Sequence, residues 1–342
     1  MKKILTITIP LAGLMCLLVA LSAFTEREEK LFNDDTPVYQ VLQDLGEKPS
    51  KSEVDPSVEG ASAERGEALV TTGVASKPGG GKTRKQSKHF VCTSCHNIQK
   101  EDPDLRYSDP ETRLTYAVEN DLPFLQGTTL YGAVNRESFY NGDYDKKYGD
   151  LVADARNDIR GAIQLCAEVC AQGRPLNNWE MESVVAYLWT LQLKMGDLSM
   201  SENEKSDVNS LMANAETKED AKESIRSFYL QGSPATFADS PDNHKDGFSL
   251  TGNADRGQAV YENSCLHCHS SGKYAFFELD KGKTSRQFLN YHFGRYTRYS
   301  MYNLAVYGTS PLPGKRTYMP NYPKERLSQQ QIEDLRAYFS SK

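Results

Sequence analysis

The chain has 342 residues and a formal net charge of −6, from 40 Lys and Arg against 46 Asp and Glu. This length predicts two domains, or two domains with linkers. A modestly acidic chain lacks the basic field that nucleic-acid binding requires, so we expect no nucleic-acid partner.

The N-terminal sequence predicts export. Lys2 and Lys3 precede an apolar run over residues 4–24, and small residues occur near its end at 20–23. This order predicts a signal peptide over residues 1–23 that is cleaved from the mature protein. The run is also close to spanning length, so a retained N-terminal membrane anchor is the alternative. Both interpretations place the folded part in the periplasm or on the outer side of the cytoplasmic membrane.

Two five-residue runs share the pattern C-x-x-C-H. The residues are Cys92, Cys95 and His96 in the first run and Cys265, Cys268 and His269 in the second. This pattern is the attachment signature of a c-type haem. Two thiols three positions apart can both reach the vinyl groups along one porphyrin edge, and the histidine turns its imidazole to the iron. The sequence therefore predicts two covalently bound haem c groups. Two zinc knuckles are the alternative, but structural zinc draws its ligands from C-x-x-C pairs much closer together.

The two motifs lie in matching surroundings. The pattern A-x-R-G-x-A occurs at 63–68, ahead of the first motif, and again at 254–259, ahead of the second. Such a recurrence indicates two copies of one structural unit. We therefore predict a mostly α fold of two tandem class I cytochrome c domains joined by a linker. The expected boundaries are 24–62 for a tether, 63–195 for domain 1, 196–250 for the linker and 251–342 for domain 2.

Helical spacing of apolar residues predicts how each domain ends. It marks the closing helix of domain 1 over 179–194, with Asn177 and Asn178 as candidate caps. The equivalent helix of domain 2 is expected over 328–339, and a further helical stretch over 155–171.

Domain 1 has an insertion before its motif. Arg65 precedes Cys92 by 27 positions, whereas Arg256 precedes Cys265 by nine. The basic residues of the insertion are Lys77, Lys82, Arg84, Lys85 and Lys88. The insertion is either a solvated loop or a cationic rim near haem 1 that attracts an anion or a partner protein.

The second axial ligand of each iron must come from elsewhere in its domain. In domain 2, Met319 lies 50 residues after His269 and just ahead of the closing helix. A methionine there predicts Met/His ligation, which raises the reduction potential. His292 is the alternative ligand, and core packing is the alternative role for Met319.

Domain 1 has no methionine at the equivalent position. Alignment of the two closing helices places Glu168 opposite Met319, and Cys166 and Cys170 flank Glu168. A thiolate ligand would lower the potential of the iron and could react with sulfur compounds. We expect one of the two cysteines as the ligand, with Cys166 favoured. A Cys166–Cys170 disulfide and a pair of inert thiols are the alternatives.

Residues 65–191 resemble the haem–cysteine cytochromes of bacterial sulfur oxidation, most closely the thiosulfate dehydrogenases. The resemblance rests on I-Q-L-C at 163–166, on Q-G-R-P-L at 172–176 and on the helix that follows. It implies His/Cys ligation in domain 1, with Cys166 as the cysteine that handles substrate. The family carries arginines near this cysteine, where this chain has Ala162 and Val169. The candidates to supply positive charge instead are Arg156, Arg160 and Arg174.

Two functions are compatible with these features. The first is an enzyme that joins two thiosulfates into tetrathionate, or the reverse, with haem 1 as the reaction site and haem 2 as the electron exit. The second is a non-catalytic electron carrier or a cytochrome subunit of a respiratory complex. Both require electron-transfer partners such as a cytochrome or a terminal oxidase, and the first also requires a small sulfur oxyanion.

Overall fold

The described part of the chain is helical. The computed structural model describes residues 32–270, 272, 274–275, 277–309 and 317–341, so the predicted signal peptide over 1–23 lies outside it. The helices are α1 (Val38–Asp44), α2 (Ala63–Thr72), α3 (Pro110–Glu119), α4 (Tyr144–Tyr148), α5 (Ile159–Leu165), α6 (Asn178–Thr190), α7 (Glu202–Ala213), α8 (Lys218–Arg226), α9 (Ala254–Val260), α10 (Leu266–His269), α11 (Lys283–Phe293), α12 (Met301–Tyr307) and α13 (Gln329–Ser340). These residues contain no β-strand, which confirms the predicted mostly α fold. Among the same residues, no helix has the length and apolar character to cross a membrane.

Each half of the chain pairs an early helix with its closing helix. In the first half α2 packs on α6, and in the second α9 packs on α13. Glycine marks both contacts, because a Cβ on Gly66 would collide with the carbonyl of Ser183 and a Cβ on Gly257 with that of Asp334. The glycine of the repeated A-x-R-G-x-A pattern therefore lets two helix backbones approach closely. The two halves share this packing, as two copies of one unit would.

We expect Gly66→Ala to lower the free energy of unfolding by about 3 kcal/mol, because α2 and α6 must separate to admit one methyl group. Chemical denaturation followed by far-UV circular dichroism measures the loss. Gly79→Ala is the matched control, since nothing lies within 4 Å of a Cβ built at Gly79. Equal losses in the two variants would contradict the packing argument.

Polar caps begin the four paired helices. Ser62 caps α2 and Asn253 caps α9, while Asn177 and Ser328 cap the closing helices α6 and α13. Each side-chain oxygen accepts a hydrogen bond from a backbone N–H in the first turn, which the helix itself leaves unpaired. The two predicted closing helices are confirmed to within a few residues at their ends.

The segments predicted as a tether and a linker carry helices. α1 lies in the first segment and α7 and α8 lie in the second, and the three share one hydrophobic core. Val41 and Leu42 of α1 pack there with Val208 of α7 and Ile225 of α8. Each helix contributes only a few apolar side chains, so local sequence gives a weak signal for this core.

The two halves are joined through α3. This helix belongs to the first half in sequence. Its Leu114 and Ala117 nevertheless lie in the same hydrophobic core as Tyr261 of the second half. Just beyond it, the backbone N–H of Phe124 donates to the carbonyl of Asn263 at 2.9 Å. The interface between the halves therefore lies beside the residues that lead into the second C-x-x-C-H motif.

Candidate haem sites

The first motif folds as a tight helical turn. The turn spans Cys92–Ser94, and the backbone N–H groups of Cys95 and His96 both donate to the carbonyl of Cys92, at 3.1 and 3.0 Å. Residues three apart share one face of a helical turn, which places the two thiols side by side. The histidine follows directly, as attachment to one porphyrin edge requires.

The second motif is reached by a continuous helical path. α9 continues through a wider turn over Tyr261–Cys265 into α10, which ends at His269. Cys265 and Cys268 therefore have the same three-residue spacing on helical backbone as the thiols of the first motif. Both are half-buried.

Both motif histidines are held by a backbone carbonyl. Nδ1 of His96 lies 2.6 Å from the carbonyl of Thr128, and Nδ1 of His269 lies 2.7 Å from that of Phe277. A carbonyl can only accept, so Nδ1 carries the proton and Nε2 keeps its lone pair for a metal. Burial also lowers the pKa of both imidazoles, which favours the neutral form that ligates iron. These features fit an iron ligand on each histidine.

Gly127 fixes the imidazole plane of the first site. A Cβ on Gly127 would lie 2.6 Å from both Nδ1 and Cε1 of His96. The backbone therefore packs directly against the ring, which restricts its rotation.

The C-terminal part of the chain matches a known family. Residues 252–339, about a quarter of the chain, match the family model described as cytochrome C oxidase, cbb3-type, subunit III. The C-terminal part of this chain is a cytochrome c domain. Such a domain transfers electrons through covalently bound haem c and works with electron-transfer partner proteins. Comparison with curated proteins and with solved structures found no match.

Two further thiols lie together on a wide helical turn at the end of α5. The turn spans Cys166–Cys170, and the N–H of Ala171 closes it on the carbonyl of Cys166 at 2.7 Å. Both cysteines are free thiols and hydrogen-bond to each other, and the hydroxyl of Tyr140 donates to Cys170 as well. Wide turns of this kind are rare and frequently occur at functional sites.

The hydrogen bonds of this cluster distinguish its two thiols. The bond to Cys170, followed by burial, raises the pKa of Cys166. The bond from Cys166 has the opposite effect on its partner and, with the bond from Tyr140, holds the pKa of Cys170 below its ordinary value in spite of burial. The bond from Tyr140 favours the thiolate form at Cys170, and both cysteines stay candidate ligands. Cys92 and Cys95 also contribute to the raised pKa of Cys166, so the cluster lies close to the first motif.

The two motifs lie near one another. Burial, and then the charge of neighbouring Cys268, raises the pKa of Cys95. The segment 317–322 passes beside both motifs, because Tyr318 lies close to the thiols of the first half and Tyr322 close to those of the second motif. One loop of the cytochrome c domain therefore contacts both sites.

Met319 belongs to this loop. Its backbone N–H donates to Oγ1 of Thr309 at 2.8 Å, and its carbonyl accepts from the N–H of Thr309 at 2.7 Å. Gly308 has a φ of +63°, and a Cβ there would lie 2.5 Å from the Met319 carbonyl. The backbone of Met319 is therefore fixed by close contact with the end of α12.

His292, the alternative ligand in this domain, is connected by aromatic contacts to the residue whose carbonyl holds His269. Its ring contacts that of Phe288, with centroids 4.6 Å apart, and Phe288 contacts Phe277 at 5.3 Å. The Phe277 carbonyl is the group that holds His269.

A buried charge network lies behind the first motif. Glu101, Arg113 and Arg326 are each no more than 2% exposed. Glu101 pairs with Arg326 at 2.7 Å and with Arg113 at 3.9 Å. Burial alone would raise the pKa of Glu101, but the two guanidinium groups and a hydrogen bond from Asn97 hold it below its ordinary value. The carboxylate therefore stays charged in the interior.

This network holds the backbone that orients His96. Arg326 donates to the carbonyls of Leu125 and Gly127, at 3.1 and 2.7 Å. Glu101 accepts from the N–H of Thr129 at 2.9 Å. These bonds lie on either side of the Thr128 carbonyl, so a residue of the cytochrome c domain helps to position His96 of the other half.

Each arginine proposed to attract an oxyanion is paired with a carboxylate. The pairs are Arg156 with Asp145, Arg160 with Glu182 at 2.6 Å and Arg174 with Glu180 at 2.5 Å. Arg160 also donates to the backbone carbonyls of Lys51 and Glu53. Their positive charge is thus already balanced within the fold.

The basic insertion lies against the thiol turn. The side-chain amide of Gln86 donates to the carbonyl of Ala167 at 2.9 Å, and the hydroxyl of Ser87 donates to that of Ala171. The basic residues of this loop are exposed and form no ion pair with any residue in the described ranges; they are Lys77, Lys82, Arg84, Lys85 and Lys88. Unbalanced positive charge therefore lies beside Cys166 and Cys170.

Asp102 gives the first half a pH-dependent stability. Burial, and then the charge of Glu101, raises its pKa to about 6. The unfolded chain releases this proton at about pH 4, whereas the folded protein keeps it until about pH 6. The folded protein therefore loses stability as the pH rises from about 4 to 6. We expect Asp102→Asn to raise the free energy of unfolding by about 2 kcal/mol at pH 7 and by little at pH 4. Urea denaturation across this range measures the difference, and a gain that is the same at every pH would contradict the assignment.

Proposed function

We propose that this protein is an exported dihaem c-type cytochrome in which each C-x-x-C-H motif attaches one haem c. The observation that carries the proposal is the shared geometry of His96 and His269, whose Nδ1 atoms lie 2.6 and 2.7 Å from backbone carbonyls. Haem c, when bound, supplies reversible one-electron chemistry. The protein supplies two thiols, an oriented neutral imidazole and a buried environment at each site.

With haem bound at both sites, the first site would receive electrons and the second would pass them to a partner. Met319 would help to hold the second haem, and Met/His ligation would raise its reduction potential. A thiolate from Cys166 or Cys170 would help to hold the first haem and would lower its reduction potential. The closeness of Cys95 to Cys268 supports direct transfer between the two sites.

The first site carries out thiosulfate chemistry. Joining two thiosulfates into one tetrathionate releases two electrons, which matches two one-electron centres. The exposed lysines and arginine of the 77–88 loop are the charges that favour an oxyanion there, because Arg156, Arg160 and Arg174 are balanced by carboxylates. The cysteine would form an S–S bond to the terminal sulfur of one thiosulfate while the two bound haems take up the two electrons released. A second thiosulfate would then displace the cysteine as a thiolate and leave as tetrathionate.

A cytochrome subunit of a respiratory complex is the second candidate. The match of residues 252–339 to a subunit of a cbb3-type oxidase favours it. In that role the thiolate sets a low potential and no sulfur substrate is turned over.

Low-temperature EPR on the oxidised protein tests the ligand assignment. The variants are Cys166→Ala, Cys170→Ala and Tyr140→Phe, the last of which removes one hydrogen bond to the thiol pair and keeps both cysteines. We expect a low-spin thiolate signal that disappears in one cysteine variant alone and persists in Tyr140→Phe. Absence of that signal from the wild type would remove the thiolate proposal.

Steady-state turnover with thiosulfate separates the two functions. The enzyme predicts thiosulfate-dependent reduction of both haems, lost in the cysteine variant that loses the EPR signal. A subunit of a respiratory complex predicts the EPR signal without turnover.

A further inference from the structure

The cytochrome c domain carries a basic stretch whose positive charge the proposed function does not use. Residues 281–324 contain eight of the 40 Lys and Arg of the chain and none of its 46 Asp and Glu. The chain as a whole has a net charge of −6, so positive charge is concentrated on this part of the domain. The described part of the stretch includes α11, α12 and the turn between them.

Four residues at the end of α11 form what we name the basic aromatic patch: Tyr291, Arg295, Arg298 and Tyr299. Arg295 lies 3.6 Å from the ring centroid of Tyr291, and Arg298 lies 4.8 Å from that of Tyr299. Both arginines are exposed, and Tyr291 is 56% exposed. Neither guanidinium forms an ion pair with a residue that the structure describes. Exposed tyrosine and arginine in contact are the residue types enriched at protein interfaces.

Aromatic rings connect the patch to the proximal histidine of the second site. Tyr291 contacts His292 with ring centroids 4.9 Å apart, and His292 contacts Phe288 at 4.6 Å. Phe288 contacts Phe277 at 5.3 Å, and Phe277 contacts His269 at 6.1 Å. A partner seated on the patch would therefore be separated from the site only by packed rings.

The segment 242–246 borders the patch at one edge. Tyr296 stacks on His244 at 4.1 Å and donates to the backbone carbonyl of Asp242 at 3.0 Å, with Asp246 close by in sequence. A negatively charged partner would be attracted by Arg295 and Arg298.

We propose that the basic aromatic patch is the docking surface for an acidic electron-transfer protein, one that carries carboxylates around its own redox centre. The inference rests on the proposed function, since it needs a haem at the second site. Opposite charges steer such a partner to the patch, while the net negative charge of the rest of the chain disfavours other orientations.

Stopped-flow oxidation of the reduced full-length protein by plastocyanin, a small acidic copper protein, tests the proposal. The variants are Arg295→Glu/Arg298→Glu and the charge-conserving Arg295→Lys/Arg298→Lys. Lys48→Glu/Lys51→Glu is the matched control, because it changes the net charge by the same amount as the Arg295/Arg298 glutamate variant. Both lysines are exposed and lie in the segment 24–62. Haem content is measured in every preparation, so a missing second haem is recognised as a failure of the proposed function.

We expect the second-order rate constant at low salt to fall at least tenfold in the glutamate variant, on the scale of electrostatic steering. The lysine variant keeps most of the rate, and the wild-type rate falls with added salt while the glutamate variant's does not. Equal falls in the glutamate variant and the Lys48/Lys51 control, or no fall in either, would overturn the proposal. If the glutamate variant does not fold, Arg295→Gln/Arg298→Gln is used in its place. We then expect a smaller fall in the rate constant, and an unchanged rate constant would overturn the proposal.

Discussion

Arg326→Met is expected to lower the free energy of unfolding by about 4 kcal/mol, because it leaves Glu101 charged and buried beside a weaker partner. Arg326 is 2% exposed and Glu101 1% exposed, and their charged atoms lie 2.7 Å apart. The variant also removes the donors to the carbonyls of Leu125 and Gly127. Arg113 remains, but its distance of 3.9 Å from Glu101 gives a weaker pairing.

Denaturant titration measures this loss, and a surface pair of similar length supplies the control. Arg106 and Asp104 lie 2.6 Å apart, but about a third of each side chain is exposed to solvent. Arg106→Met should therefore cost less than about 1 kcal/mol. The loss for Arg326→Lys should lie between these two values, because lysine keeps the positive charge but lacks the planar guanidinium group with its several N–H donors. Similar losses for Arg326→Met and Arg106→Met would contradict a structural role for the buried network.

Met319→His is expected to lower the midpoint potential of the second haem by on the order of 200 mV, because axial ligands set haem potentials over a range of about 0.8 V. The backbone of Met319 is held by Thr309, so the substitution changes the ligand with little change in the path of the loop. Potentiometric titration should show two reduction waves, and only the wave at the higher potential should shift to a lower potential.

Met212→His is the control for this substitution. Met212 packs against the separate core formed by α1, α7 and α8, so neither wave should move. If Met319→His also left both waves in place, Met319 would not be an iron ligand. Movement of both waves would show that the loop acts on the two sites together, as the contacts of Tyr318 and Tyr322 allow.

The repeated features of the fold could be predicted because each is local in sequence. The C-x-x-C-H spacing, the A-x-R-G-x-A pattern and the caps at Asn177 and Ser328 are all contained within a few residues. The repeat also predicted equivalent units, and Gly66 and Gly257 make the same kind of helix contact. Short-range patterns of this kind carry their own structural meaning.

Long-range pairing could not be predicted in the same way. Glu101 and Arg326 are more than two hundred positions apart, and nothing beside either residue marks it as buried. The core shared by α1, α7 and α8 was missed for the same reason, because Val41 and Ile225 are far apart in sequence and meet only in the folded chain. A charged residue in a polar stretch is most often solvated, so these segments read as a tether and a linker.

The site was predicted in part. The sequence identified both thiols of the α5 turn, but the wide turn and the bond from Tyr140 to Cys170 depend on packing. Arg156, Arg160 and Arg174 were chosen for their charge alone, and their pairing with carboxylates became visible only in three dimensions. The basic loop that lies beside the thiols was already visible as an insertion.

The most direct test of the central claim is mass spectrometry of tryptic peptides together with a spectrophotometric count of haem per chain. The proposed dihaem cytochrome predicts covalent haem on the peptide with Cys92 and Cys95, covalent haem on the peptide with Cys265 and Cys268, and two haems per chain. A chain with one haem, found only on the Cys265 peptide, would contradict it and leave a single cytochrome c domain attached to a helical unit of another kind.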